Sequence, residues 1–298
     1  MFNPIKWLWN WIKRMFQMTP LNGFGAGQSG GKRSFHAMLQ EAKATTSLNF
    51  CFDPASSSSY SGSGQNLTDL SGGGNSAYLG LTSSATSTDP TFNGSAGGLS
   101  SSEYFSFDGL DCFNMQSATP TYMYPWGKTG ATYSVIAWVY VPSAQDNAVA
   151  VLSTIGNVAN FFRGVRCQIS VASKRPFITY GQTTAAVSIS PTETDVLTLD
   201  RWQMVSYSVA EGTGTSFVAV NGTICAISSD TYSSPMASDP TLGCRLFSSP
   251  GSSTTDQTGT SLSFDSGGRS GPIAGFSRAL SQSEIRTIFQ LSRERYGV

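Results

Sequence analysis

The sequence predicts a mainly β protein, a sandwich or barrel of many short strands closed by one C-terminal helix. Three observations carry this expectation. The 298-residue chain is rich in Ser, Thr, Gly and aromatics and only 12% charged. Aromatic and β-branched residues favour strands, and Gly, Ser and Asn favour the turns between them. Tyr133 to Val141 is apolar on both faces, as a strand covered on both sides must be. Phe217 to Ala226 holds two apolar runs joined by Asn221-Gly222, the pair that best tolerates the positive φ of a two-residue hairpin turn.

The elements follow in chain order. Residues 1–18 read as an amphipathic anchor helix. Lys6, Asn10, Lys13 and Gln17 make one narrow polar stripe, and Ile5, Leu8, Trp9, Ile12 and Phe16 share an apolar face that Trp7 and Trp11 widen. Pro4 suits a first-turn position, and Pro20 lies beyond the end. The apolar run is short, broken by Asn10 and closed by Lys13-Arg14, a poor match to a signal peptide. Three roles remain open for this helix: docking into a groove of a partner protein, which is favoured, packing on the protein's own core, or lying in a membrane interface.

Residues 19–47 read as a Gly-rich linker with a short helix, roughly Phe35 to Ala44. Gly25, Gly27 and Gly30 have dinucleotide-motif spacing, but no strand precedes them, so the motif carries no such meaning. The β domain is expected over 48–298. Leu48 to Asp53 alternates as a strand. Residues 54–103 read as long ordered loops with short strands, because Leu67, Leu70, Tyr78, Leu79, Leu81 and Phe92 punctuate the Ser/Gly-rich stretch. Further strands are expected at 103–107 and 133–141, and near 149–155, 164–171, 176–180, 185–189, 202–210, 215–220, 223–228, 244–248 and 270–276. The closing helix is announced by Ser281 and Glu284 as a capping box, Leu280 and Ile285 as a hydrophobic staple, and Gly297 as a stop.

Composition narrows the function. Eighteen basic and 18 acidic side chains give no net charge, which argues against a general nucleic-acid binder. There is one histidine, His36, so mechanisms needing two imidazoles are excluded. Cys51, Cys112, Cys167, Cys225 and Cys244 are odd in number and widely spaced, which disfavours zinc clusters and a paired disulfide framework.

Four signatures in residues 48–298 resemble the laminin-G-like or concanavalin-A-like jelly roll of bacteriophage structural proteins. The first is Asp53-Pro54-Ala55-Ser56, Ser59-Tyr60 and the run Asp69-Leu70-Ser71-Gly72-Gly73-Gly74-Asn75. The second is Phe107-Asp108-Gly109-Leu110-Asp111-Cys112-Phe113, where Cys112 replaces the second acid of the family's pattern. The third joins Tyr133 to Tyr140 with Leu199-Asp200-Arg201-Trp202. The fourth runs from Gly271 through Ser281, Glu284 and Ile285 to Tyr296-Gly297. The resemblance implies a concanavalin-A-like jelly-roll β-sandwich with a C-terminal helix, preceded here by the N-terminal amphipathic anchor.

Some proteins of that fold are glycosidases with two carboxylates on one strand. Only Glu193-Thr194-Asp195 approaches their pattern, and Thr198 stands where the second Glu is needed. The expectation is a non-enzymatic structural protein of a phage-like virion. It would dock to other virion proteins through Ile5, Trp7, Leu8, Trp9, Trp11, Ile12 and Phe16, and display the jelly roll for decoration or for adhesion to a host-surface glycan. A bacterial surface or secreted carbohydrate-binding module is the alternative, and a jelly-roll glycosidase a more distant one. Tyr122, Tyr124 and Trp126 are the candidate glycan platform, with a packed loop or a subunit contact as the competing readings. Asp108 and Asp111 are the candidate calcium ligands, with Asp53 and Asp69 behind them and turn capping as the competing reading. Oligomeric state is left open.

Overall fold

The computed structural model describes residues 32–115, 119–155, 163–181, 186–227, 229–235, 237–240, 243–250 and 262–298. They build the compact unit Arg33–Val298. The anchor residues Ile5, Trp7, Leu8, Trp9, Trp11, Ile12 and Phe16 lie outside the described residues.

Two antiparallel sheets form a sandwich. Sheet A runs in the order Thr223–Ala226 (β14), Phe217–Val220 (β13), Trp202–Ala210 (β12), Thr132–Tyr140 (β7), Arg269–Phe276 (β16), Tyr104–Ser106 (β5) and Thr91–Asn93 (β4). Leu48–Phe52 (β1) pairs with the C-terminal half of β16, and β5 with its first two residues. Sheet B runs Ala186–Ile189 (β11), Arg175–Gly181 (β10), Val165–Ser170 (β9), Val149–Ser153 (β8), Arg245–Leu246 (β15), Phe113–Asn114 (β6), Ala77–Leu79 (β3) and Asn66–Leu67 (β2). The chain is mainly β with a C-terminal helix, Gln282–Tyr296 (α2), and a short helix, Phe35–Glu41 (α1), before the first strand.

Strand period dictates two cores. Side chains alternate across a strand, so β7 sends Tyr133, Val135, Ala137 and Val139 between the sheets and Ile136 and Trp138 to the opposite face. The inner core joins them to Phe105, Phe107, Phe113, Phe247, Phe264 and the aliphatic faces of sheet B. The second core lies on the outer face of sheet A, where Ile136, Trp138, Met204, Ala274 and Phe276 pack against Phe35 and Leu39 of α1 and Ile285, Ile288, Phe289 and Tyr296 of α2. The short helix expected at roughly Phe35 to Ala44 spans Phe35–Glu41, and its Phe35 and Leu39 are fully buried, so this end of the expected linker packs on the sheet.

The local signals work as their chemistry requires. Ser281 accepts from the Glu284 amide while Glu284 accepts from the Ser281 amide, and Gly297 ends α2 in the left-handed conformation at φ 67°. Asn221 and Gly222 take φ 51° and 72°, closing β13 onto β14. Asn221 Oδ1 also accepts from the Met204 amide at 2.9 Å, which ties the turn to β12. Gly275 has no room for a side chain, since a Cβ there would lie 2.1 Å from the Phe50 ring.

A buried ion pair clamps the helices to the sheet. Arg295 Nη1 donates to both oxygens of Asp53, at 2.9 and 3.1 Å, and the two side chains are 3% and 0% exposed. Asp53 also accepts from the Phe35 amide at 2.7 Å and the Ala55 amide at 3.1 Å, and Arg295 Nη2 donates to the Arg33 carbonyl. Burial alone would lower the Arg295 pKa, but the Asp53 carboxylate and Tyr296 together more than offset it and the net shift is upward. One carboxylate therefore holds the start of α1, the loop after β1 and the last turn of α2. Its neighbour Asp69 does the same for that loop system, accepting from Cys51, Ser71 and Asn75 amides.

Removing one member of a buried pair strands the other charge without its partner. Asp53→Ala is expected to lower unfolding free energy by about 3–5 kcal/mol, measured by urea denaturation. Adding Arg295→Met should recover part of that loss; a double variant that loses the sum of two such costs would contradict the coupling.

Candidate functional site

The helices do not cover all of the outer face of sheet A. The part beside the N-terminal end of β16 carries a different kind of side chain. Trp202 of β12 is register partner of Tyr140 of β7, Tyr140 of Arg269 of β16, and Arg269 of Ser106 of β5. Tyr104, two residues before Ser106, shares its face. Trp202, Tyr140, Arg269, Ser106 and Tyr104 are all partly exposed.

The geometry is that of an aromatic platform with a cation set in it. The Arg269 guanidinium carbon lies 4.5 Å from the Tyr140 ring centroid and 4.9 Å from that of Tyr104. Trp202 meets Tyr104 at 6.0 Å and Tyr140 at 6.1 Å, both edge-on. It rests on Tyr296 of α2 at 4.9 Å, so the platform abuts the helix core. Cation–π contact positions the guanidinium beside the rings. Among the described residues no carboxylate pairs with Arg269 and no acceptor takes its hydrogens. The neighbouring acids are turned elsewhere: Glu103 accepts from Ser100, and Asp200 from the Ser143 amide. Asn93 of β4 extends the polar rim by donating to Ser106 Oγ. Partly exposed ring faces beside uncommitted donors can stack on apolar C–H faces and hydrogen-bond to hydroxyl or carboxylate oxygens.

The residues singled out from sequence are placed differently. Tyr122, Tyr124 and Trp126 fall in a 3-10 helix, Thr121–Gly127. Trp126 is only 1% exposed and stacks on Tyr133 at 4.7 Å, within the inner core. Tyr122 packs edge-on against Trp126, and burial pushes its phenol pKa upward. Tyr124 is partly exposed. These three rings therefore do not share one solvent-facing surface. Asp111 is buried and accepts from the Asp108 amide at 2.9 Å, while Asp108 accepts from the Leu110 amide at 3.1 Å, so both carboxylates cap the turn. Among the described residues no three acids, cysteines or histidines are grouped as ligands for a metal ion. Glu193 and Asp195 sit on an exposed loop, with Asp195 paired to Lys174 at 3.2 Å. All five cysteines are free and buried, and burial pushes the Cys112 thiol up to about 12.

A second polar row crosses the outer face of sheet B: Thr179, Arg166, Ser153, Arg245 and Asn114 are register partners in turn. This row is closed to solvent. Arg166 is 5% exposed, donates to Ser153 Oγ and the Ile155 carbonyl, and burial draws its pKa down to about 10. Ser249 Oγ donates to that same carbonyl, and Arg245 to the Ser249 carbonyl. It holds loops to the sheet and presents no open surface.

Sequence reading missed the platform because its members come from four strands far apart in the chain. The local signal was an aromatic at a strand end on the outward parity, Tyr104, Tyr140 and Trp202, but only register places these rings side by side.

No protein-family model and no curated protein sequence matches the chain. Solved structures do. Domain 4 of an extracellular arabinanase from Geobacillus stearothermophilus, solved in complex with arabinotriose, is 11% identical with a TM-score of 0.53, covering 82% of this chain and 98% of that one. The binding domain of a Paraclostridial mosquitocidal protein is 13% identical with a TM-score of 0.52, covering 82% of this chain and 52% of that one. A Trypanosoma rangeli sialidase, bound to 2,3-difluorosialic acid, is 14% identical with a TM-score of 0.50, covering 87% of this chain and 38% of that one. The chain thus spans about half of the toxin domain and less of the sialidase. These likenesses establish the β-sandwich fold.

Turn capping by Asp111 has a pH consequence. Burial first, then the Asp108 charge, raises its carboxyl pKa from 3.8 to about 7. Between these values the folded state holds a proton that the unfolded state has released, so this group's contribution to stability falls as pH rises from about 4 to 7. Asp111→Asn is expected to be stabilised relative to wild type at pH 8 and not at pH 4, by Tm. A Tm difference that does not change with pH would contradict this.

Proposed function

We propose that the β-sandwich is a non-enzymatic carbohydrate-binding domain whose binding surface is the Trp202–Tyr140–Arg269–Tyr104 platform. The observation that carries this is the row of partly exposed rings around Arg269, whose donors have no acceptor among the described residues, on a stretch of sheet A beside the helix core. Sugar rings present apolar C–H faces and polar edges, and aromatic faces bordered by donors match both. The arabinanase domain solved with arabinotriose supports the reading by its fold. The non-enzymatic part is supported by Glu193 and Asp195, which are exposed and separately engaged, by Thr192 and by Lys174.

Display is the second part of the proposal. Residues 1–18 dock the chain to a partner protein through their Trp-rich apolar face, and the sandwich projects from it. The resemblance of residues 48–298 to phage structural jelly rolls supports a virion as the particle. The toxin binding domain and the arabinanase domain favour instead a secreted or surface-borne module, and the same platform would serve either.

The test is affinity electrophoresis of the full chain in gels containing a panel of polysaccharides, with a reducing-end assay on the same mixtures. Retardation by at least one polysaccharide without new reducing ends is expected. Trp202→Ala or Tyr140→Ala should weaken the retardation about tenfold, as loss of a central aromatic anchor does. Release of reducing ends, or binding indifferent to both substitutions, would overturn the proposal. Deleting residues 1–32 should leave glycan binding intact and abolish co-sedimentation with purified particles or envelopes; retention of co-sedimentation would remove the anchor role.

A further inference from the structure

We propose that the platform selects anionic saccharides, with Arg269 as the residue that reads the charge, a proposal that rests on the glycan-binding reading above. Arg269 is a partly exposed cation set between two tyrosine rings. The two tyrosine rings hold its guanidinium carbon at 4.5 and 4.9 Å from their centroids. Its N–H donors lie in the guanidinium plane and are directed outward along its edges. An edge of a guanidinium is a two-pronged donor, matched in spacing and planarity to the paired oxygens of a carboxylate or a sulfate ester.

Among the described residues this edge has no partner. Among the described residues the buried guanidinium Arg295 has Asp53, and the more exposed Arg278 has Glu284 at 2.6 Å, but Arg269 has neither an ion pair nor a hydrogen bond. Glu103, adjacent to Tyr104, has its carboxylate on Ser100, and Asp200, close to Trp202, caps Ser143. The site is therefore cationic where a ligand would meet it, although the whole chain carries no net charge. A neutral sugar would use the rings and leave the fork on water. An acidic sugar stacked on Trp202 or Tyr140 would gain the fork as well.

The test is calorimetric titration of the full chain with three probes of similar length. They are an oligogalacturonate tetramer, its fully methyl-esterified form, and a sulfated galactan tetramer. The proposal expects one of the acidic probes to bind at least tenfold more tightly than the ester, with affinity falling as salt is raised. Preference for the uronate assigns the site to carboxylates, and preference for the sulfated probe assigns it to sulfate esters. Arg269→Gln should remove the preference for charge while residual binding of the ester persists, and Arg269→Lys should restore it only in part. An unchanged unfolding midpoint in both variants separates this from misfolding. If the ester binds as tightly as the acids, Arg269→Gln changes nothing and Trp202→Ala abolishes all binding, the charge selection falls and the glycan platform stands. If no probe binds, or if acids bind but Trp202→Ala leaves them unaffected, both the selection and the platform are overturned.

Discussion

Sheet A has two apolar faces and must be covered twice. Its inner face is met by sheet B. Its outer face, with Ile136, Trp138, Met204, Ala274 and Phe276, is left to α1 and α2. A helix of 15 residues is only about 22 Å long, and α1 adds 7 residues. Seven strands side by side at about 4.8 Å spacing, with β1 as an eighth beside β16, make a wider surface than that pair can close. The consequence is a division of the outer face. The covered part is mostly aliphatic and aromatic, with Ser134 and Ser208 hydrogen-bonded to the Arg278 and Leu280 carbonyls, and is fully buried. The uncovered part, at the N-terminal end of β16, carries Tyr104, Arg269, Tyr140 and Trp202, side chains with both an apolar body and a polar edge. The fold thus creates the platform by leaving part of its second core unfinished.

The cover stays in place because one carboxylate is shared by three segments. Asp53 meets the amide of Phe35, the amide of Ala55 and the guanidinium of Arg295, where water is excluded. Ser59 reinforces it by donating to the Thr68 carbonyl while accepting from the Asp53 amide, and Asp69 gathers the amides of Cys51, Ser71 and Asn75. The residues that carry the sequence resemblance in this region, Asp53 to Tyr60 and Asp69 to Asn75, are therefore a scaffold of buried hydrogen bonds. They explain why so Ser- and Gly-rich a stretch is ordered: its backbone groups find carboxylates and hydroxyls in place of a regular ladder.

What could be read from the sequence follows the range of the interaction. Ser281 with Glu284, Gly297, and Asn221 with Gly222 act within a few residues, and their caps and turn stand where the sequence puts them. The double apolar pattern of β7 is equally local and places that strand at the centre of sheet A. Tyr122, Tyr124 and Trp126 lie close in sequence and so look like one surface, but the 3-10 helix turns Trp126 onto Tyr133 in the core. Conversely, Tyr104, Tyr140, Trp202 and Arg269 meet only through strand register across β5, β7, β12 and β16. Helix Phe35–Glu41 is legible as a helix, but its docking depends on Asp53 and Arg295, 18 and about 260 residues away.

The central claim is that the uncovered end of sheet A is where the protein meets a glycan. Hydrogen–deuterium exchange of the full chain, with and without a polysaccharide that it binds, addresses this most directly. The account predicts added protection in peptides spanning β5, the ends of β7 and β16 and the start of β12, with sheet B unchanged. Protection confined to Thr121–Gly127 or to the outer face of sheet B would contradict it.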